Sequence, residues 1–119
     1  MNNYETKLQQ IICNAIKHRQ VLWFYYESDS GKYWRKVAPY ILAIKDNGEG
    51  NLFFTGYVYA SEERKSKAEK EGQGHYLLSK IDLNKLEVSD ETFNELKLPY
   101  KRIFGELRTV KVVCRVVFD

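Results

Sequence analysis

The sequence predicts one small domain in which a single helix precedes a mostly-β barrel. Three observations predict it. An apolar stripe at helical spacing occupies the first 18 residues, a continuous apolar and aromatic run follows at once, and turn residues then punctuate several further extended segments. At 119 residues there is room for one domain, expected over the whole of residues 1–119. Hydrophobic residues make up 44%, which excludes a disordered chain, and the 14% that are aromatic favour pleated strands.

The helix is expected over residues 4–18. Leu8, Ile11, Ile12, Ala15 and Ile16 form its apolar face, Asn2 or Asn3 caps its start, and His18 and Arg19 suit the negative end of its dipole. Val21-Leu22-Trp23-Phe24-Tyr25-Tyr26 reads as a strand buried on both faces, one toward the barrel interior and the other toward the helix. Ser28-Asp29-Ser30-Gly31 is a turn by composition. Lys32 to Asp46 is extended, and Pro39 inside it marks a bend, a bulge or an edge, because proline cannot donate to a ladder. Asn47-Gly48-Glu49-Gly50 is a hairpin signal. The next strand, Asn51 to Tyr59, contains Gly56, which suggests a bulge or a close backbone approach. Ser61 to Glu71 carries four basic and four acidic residues and reads as a solvated loop or frayed helix, with a flap over a site as the alternative. His75 to Ile81 is a strand, Asp82-Leu83-Asn84 a turn, and Lys85 to Ser89 again extended. Residues 90–104 are ambiguous, and Phe93, Leu96, Leu98, Tyr100, Ile103 and Phe104 need cover. Thr109 to Phe118 closes the chain as a strand with Val110, Val112, Cys114, Val116 and Phe118 on one face.

Net charge is +3, too small to require a nucleic-acid partner. Its distribution is uneven: residues 51–96 carry six basic and nine acidic side chains, and residues 97–119 carry six basic and two acidic. The positive charge therefore gathers at the C-terminal end, which permits an anionic partner. No apolar run approaches the roughly 18 residues of a membrane span, and the start of the chain lacks the pattern of a signal peptide. No membrane is expected, and the expected location is cytoplasmic. Cys13 and Cys114 lie near opposite ends without CxxC spacing. That argues against a disulfide framework or a zinc site, so both are expected as small buried apolar residues in a reducing compartment.

No catalytic constellation emerges. His18 and His75 do not sit in a metal-ligand spacing, GxSxG and phosphate-loop motifs are absent, and Gly72-Gln73-Gly74 precedes a strand rather than a helix. No metal, no cofactor and no enzymatic activity are expected. Cations and aromatics do interleave. Lys32-Tyr33-Trp34-Arg35-Lys36 places two cations beside an indole and a phenol, and Tyr40, Tyr57, Tyr59, Tyr76 and Lys80 add to this on neighbouring strands. Cations neutralise phosphates and aromatic faces stack on bases. The plainer reading is that tyrosines fill a barrel core while Arg and Lys guard exposed strands.

In order and content these segments resemble the WYL-domain family. Ala15-Ile16-Lys17 running into Val21–Tyr26 is similar to its opening helix and first strand. Arg35-Lys36-Val37-Ala38-Pro39-Tyr40 is similar to an Arg-x-Val-x-Pro stretch. Leu52-Phe53-Phe54-Thr55-Gly56-Tyr57 stands in the place of the Trp-Tyr-Leu triplet and the Gly-Tyr after it, and Tyr76-Leu77-Leu78-Ser79-Lys80-Ile81 in the place of Phe-Arg-Leu-Asp-Arg-Ile. The resemblance spans roughly residues 10–93. The chain departs from the pattern at the triplet, which is Leu-Phe-Phe, and at Leu77, Ser79 and Lys80. The resemblance implies an Sm-like, SH3-like small β-barrel over residues 20–93, with an extension over 94–119 ending in an extra strand. It also implies a stand-alone or excised sensing module of the kind found in bacterial transcription regulators and defence systems. Such a module would bind a nucleotide or single-stranded nucleic acid. On that basis the expected ligand-binding residues are Arg35, Lys36, Tyr40, Tyr57, Tyr76 and Lys80, with Arg35 and Lys80 on phosphate and the tyrosines on base or sugar. The alternative is a protein-interaction or oligomerisation module, a homodimer through strand 109–118.

Overall fold

A computed structural model describes residues 3–28, 31–45, 50–61, 63–65, 71–98 and 110–118. The side chains of Asn3 and Lys65 fall outside that description, as do the expected turn at 29–30, the hairpin tip at 46–49, and Tyr100, Ile103 and Phe104. Mainly β structure with one N-terminal helix is what the chain adopts. Helix α1 spans Asn3–His18, close to its expected bounds. Leu8, Ile12, Ala15 and Ile16 of the predicted stripe are wholly buried, and its fifth member, Ile11, is half-buried. Arg19 ends the helix in a left-handed conformation (φ 54°), and its N–H donates to the Ile16 carbonyl at 3.2 Å.

Six strands follow: β1 Gln20–Ser28, β2 Gly31–Lys45, β3 Leu52–Val58, β4 Gly72–Leu77, β5 Ile81–Thr92 and β6 Val110–Arg115. All pair antiparallel in one sheet of order β4-β3-β2-β1-β5, with β6 added to β2. β2 is long enough to serve three neighbours. Its first half pairs with β1, and its second half lies between β3 and β6. The halves are separated at Pro39, where the β2–β3 register slips by one residue. That slip is the bend expected from a proline without an N–H. Gly56 lies opposite: a Cβ there would sit 2.1 Å from the Ala38 carbonyl oxygen, so only glycine lets the two strands meet.

The expected closed barrel is not what forms. β4 and β5 end the strand path and share no ladder among the described residues; a 3-10 turn, Leu78–Lys80, lies between them. Proline, Gly56 and tight turns announce bending, but closure depends on pairing between the two outermost strands, which no local signal encodes. β5 includes the turn expected at Asp82-Leu83-Asn84, but its pairing with β1 jumps from Ile81 to Leu86 there and the Asn84 N–H donates to the Asp82 carboxylate at 3.0 Å, so an irregularity in the strand stands where the turn was expected. Beyond it Phe93 and Leu98 are buried, and the Lys97 N–H donates to the Tyr40 hydroxyl at 3.2 Å, so part of the ambiguous stretch finds its cover on the core.

Two expectations at the C-terminal strand need correction. β6 holds one residue more than the β2 segment it faces, because Leu42 opposes Cys114 and Ala43 opposes Val112. This bulge at Val113 breaks the expected single apolar face: Cys114 and Val116 are buried, and Val112 is turned out to 38% exposure. Cys13 and Cys114 are not separate buried thiols either. They form a disulfide joining α1 to β6 across 101 residues, with Cα atoms 5.8 Å apart. Distance along the chain misled here, because β6 returns to pair with β2 beneath the helix.

Candidate ligand-binding face

Register decides which side chains share a face. Across the β1–β2 ladder Leu22 opposes Val37, Phe24 opposes Arg35 and Tyr26 opposes Tyr33; the intervening pairs are Trp23 with Lys36, Tyr25 with Trp34, and Glu27 with Lys32. Directly opposed residues point the same way and successive residues point opposite ways. The first set therefore belongs to the inner face and the second to the outer face. On the inner face aromatic rings meet edge to face, with Phe24 5.4 Å from Phe54 and 5.0 Å from Tyr76.

The outer face is built differently, because cations as well as neighbouring rings cover its aromatics. Trp23 is only 5% exposed, yet it stands apart from the apolar core cluster. Its ring lies under the Arg64 guanidinium at 4.9 Å and the Lys36 ammonium at 5.8 Å. Arg64 reaches Trp34 at 4.9 Å as well and pairs with the Glu87 carboxylate. Lys36 also lies over Tyr59 at 5.4 Å and pairs with Glu91 at 2.9 Å. Lys85 sits 4.3 Å over Tyr25, and Lys97 lies 5.2 Å and 5.0 Å from the rings of Tyr57 and Tyr59. Each such contact contributes roughly 0.5–1 kcal/mol at an exposed site. Arg64 has φ 53°, a left-handed conformation that costs a non-glycine residue about 1–2 kcal/mol.

Two cavities open beside these rings. One, of about 400 Å³, is lined by Tyr25, Lys32, Tyr33, Trp34, Arg64 and Lys85. The other, of about 540 Å³, includes Tyr25, Lys32, Ser79, Lys80 and Lys85 among its walls. Tyr25, Lys32 and Lys85 belong to both, so the cavities adjoin along one edge of the sheet. Tyr25 and Trp34 have ring centroids 5.8 Å apart with planes tilted by 53°; Lys32 and Lys85 stand beside both rings, and the larger cavity adds Lys80 together with the carboxylates of Asp82 and of Glu27, which pairs with Lys32 at 4.0 Å.

The structure separates the six expected site residues. Lys80 lines the larger cavity. Lys36 is on the outer face, with its side chain 15% exposed and engaged by Glu91. Tyr57 donates a hydrogen bond to the Glu71 carboxylate, which pushes its pKa up to about 12. Arg35 is turned inward, stacked on Tyr33 at 5.4 Å and bonded to the Trp34 carbonyl at 3.4 Å. Tyr76 packs in the core, where burial pushes its phenol up to about 12 against the opposing pull of Arg35. Tyr40 is 1% exposed, and burial raises its pKa too. Arg35, Tyr40 and Tyr76 thus serve the interior. Tyr25, Lys32, Trp34, Arg64 and Lys85 were missed as a set. Strict two-residue alternation along β1 and β2 is the signal that would have grouped Tyr25, Lys32 and Trp34, although nothing local predicts that Lys85 of β5 and Arg64 reach the same rings. Among the described residues no three His, Cys, Asp or Glu side chains come together as a metal site. No described helix is long and apolar enough to cross a membrane.

No protein-family model and no curated protein matches this chain. Among solved structures it is similar to the proteasome accessory factor B/C (PafBC) of Arthrobacter aurescens. The likeness has a TM-score of 0.57 and 17% identity, and it covers 84% of this chain and 14% of that one. At that identity the likeness speaks for the fold alone. The chain spans about one-seventh of the PafBC chain's length.

Proposed function

We propose that this chain is a non-catalytic, WYL-like regulatory module that binds a nucleotide or single-stranded nucleic acid at the Tyr25–Trp34 edge of its sheet. On this reading its open, bent sheet is a variant of the Sm-like barrel. The observation that carries the proposal is the adjoining pair of cavities, which share Tyr25, Lys32 and Lys85. A flat nucleobase would stack on one of Tyr25 and Trp34, whose planes are 53° apart, while Lys32, Lys80 and Lys85 would meet phosphates. The likeness in fold to the proteasome accessory factor fits this reading. Titration with a short oligo-dT and with mononucleotides, read by tryptophan fluorescence, tests the proposal. Lys80→Ala and Lys85→Ala should each weaken binding several-fold and flatten its salt dependence; affinity unchanged in both would refute it.

A second reading has one observation of its own. Among the described residues β6 pairs only with β2, and Val112 and Val117 near it are 38% and 63% exposed. A strand with a bare edge is a template for pairing, so β6 would also form a homodimer. Light scattering at high concentration decides this: a strict monomer removes it.

A further inference from the structure

Arg64 does more on the outer face than cover an apolar surface. Its guanidinium lies 4.9 Å from the centroids of both Trp23 and Trp34, and the Glu87 carboxylate pairs with it. Two aromatic faces and one carboxylate are the chemistry that recognises a guanidinium, through cation–π attraction and a charge-assisted hydrogen bond. The tryptophans come from β1 and β2 and the carboxylate from β5, so the walls are held by the sheet's own ladders. The occupant comes from outside those ladders. Arg64 sits on the three-residue turn Glu63–Lys65, in a left-handed backbone conformation, with its side chain 37% exposed. Its immediate support is the Glu63 N–H donating to the Ser61 hydroxyl at 3.1 Å. Rigid walls and a strained, half-exposed occupant describe a site that the chain fills for itself.

We propose that the Trp23–Trp34–Glu87 cleft is a guanidinium-binding site, occupied in cis by Arg64, which an arginine side chain of a partner segment fills when Arg64 swings out. The segment carrying Arg64 is then a strap whose own arginine competes with the partner's. The site shares Trp34 with the stacking edge but differs from it in ligand and in its other residues, because it needs Glu87 and Trp23 and needs none of Lys32, Lys80 or Lys85.

The test uses the full chain and the capped tripeptide acetyl-Gly-Arg-Gly-amide, with acetyl-Gly-Lys-Gly-amide as the control. Arg64→Asn empties the cleft while keeping a residue that tolerates the left-handed backbone, and a thermal melt verifies that it is folded. Tryptophan fluorescence of R64N should change saturably with the arginine peptide. Wild type should bind at least tenfold more weakly, and the lysine peptide should bind R64N several-fold more weakly. Adding Glu87→Gln to R64N should weaken arginine binding about tenfold. If folded R64N shows no saturable change, or if wild type or R64N/E87Q binds as tightly as R64N, the proposal is overturned. Failure of oligonucleotide binding leaves this result untouched, since no oligonucleotide is present.

Discussion

The inner and outer faces of the sheet use the same kinds of residue to opposite ends. Inside, Phe24, Phe54 and Tyr76 pack ring against ring, with the wholly buried Leu8, Ile12, Ala15 and Ile16 of the helix in the same core. Outside, Trp23, Tyr25, Trp34 and Tyr59 are roofed by Arg64, Lys85 and Lys36. An aromatic sealed by other apolar groups holds the fold together by excluded area. An aromatic roofed by a mobile cation keeps a face that a ligand can take over. The difference teaches that aromatic content alone does not distinguish a core from a binding surface; the neighbour across the strand does.

The comparison can be broken first at its strongest point. Phe24→Ala should lower stability by about 3–5 kcal/mol, read from urea unfolding, because a wholly buried ring leaves a cavity. An effect below about 1 kcal/mol would mean that the inner face is not the core. Next is the bond that ties the helix to the last strand. Cys13→Ser with Cys114→Ser, or reduction of the wild type, should cost about 2–5 kcal/mol, since closing so long a loop restricts the unfolded chain. A urea midpoint unmoved by reductant would contradict it.

The third prediction concerns pH. Tyr76 in the folded state has its pKa raised to about 12 from the ordinary 10, so the folded chain holds that proton more tightly than the unfolded chain does. The stability it contributes is complete below pH 10 and is lost as pH rises toward 12. The loss is about 2–3 kcal/mol at roughly 1.4 kcal/mol per pH unit. Tyr76→Phe should remove that part of the alkaline dependence, and an unchanged profile would speak against a buried neutral phenol. The smallest stability effect belongs to the outer face. Trp34→Ala should cost less than about 1 kcal/mol while abolishing the fluorescence response to oligonucleotide. If it unfolds the chain as Phe24→Ala does, the two faces are not different in kind.

Much of the fold was legible because its signals are local. The stripe Leu8–Ile16 predicts the helix, Pro39 predicts the register slip in β2, and Gly56 predicts the close approach to Ala38. What was not legible is non-local. The Cys13–Cys114 bond depends on β6 returning to β2, and the extra residue in β6 turns Val112 outward against the simple alternation. The site was half legible. Lys80 does line a cavity, and the stretch Lys32–Lys36 does bring cations to aromatics. But Arg35 and Lys36 are consecutive in a strand and so cannot serve one surface, and Arg35 went to the interior with Tyr76. Arg64 belongs to a charged segment with no pattern of its own, and only the folded chain shows which rings it meets.

Binding of a nucleotide-type ligand at the Tyr25–Trp34 edge and its nearby lysines is the proposal on which the functional reading stands. Its most direct test is the affinity of wild type and a Lys32→Ala/Lys80→Ala/Lys85→Ala triple variant for oligo-dT, measured at two salt concentrations. Wild type should bind, its affinity should fall steeply as salt rises, and the triple variant should lose most of both the affinity and the salt slope. Equal binding by the two proteins, or none by wild type at low salt, would contradict it.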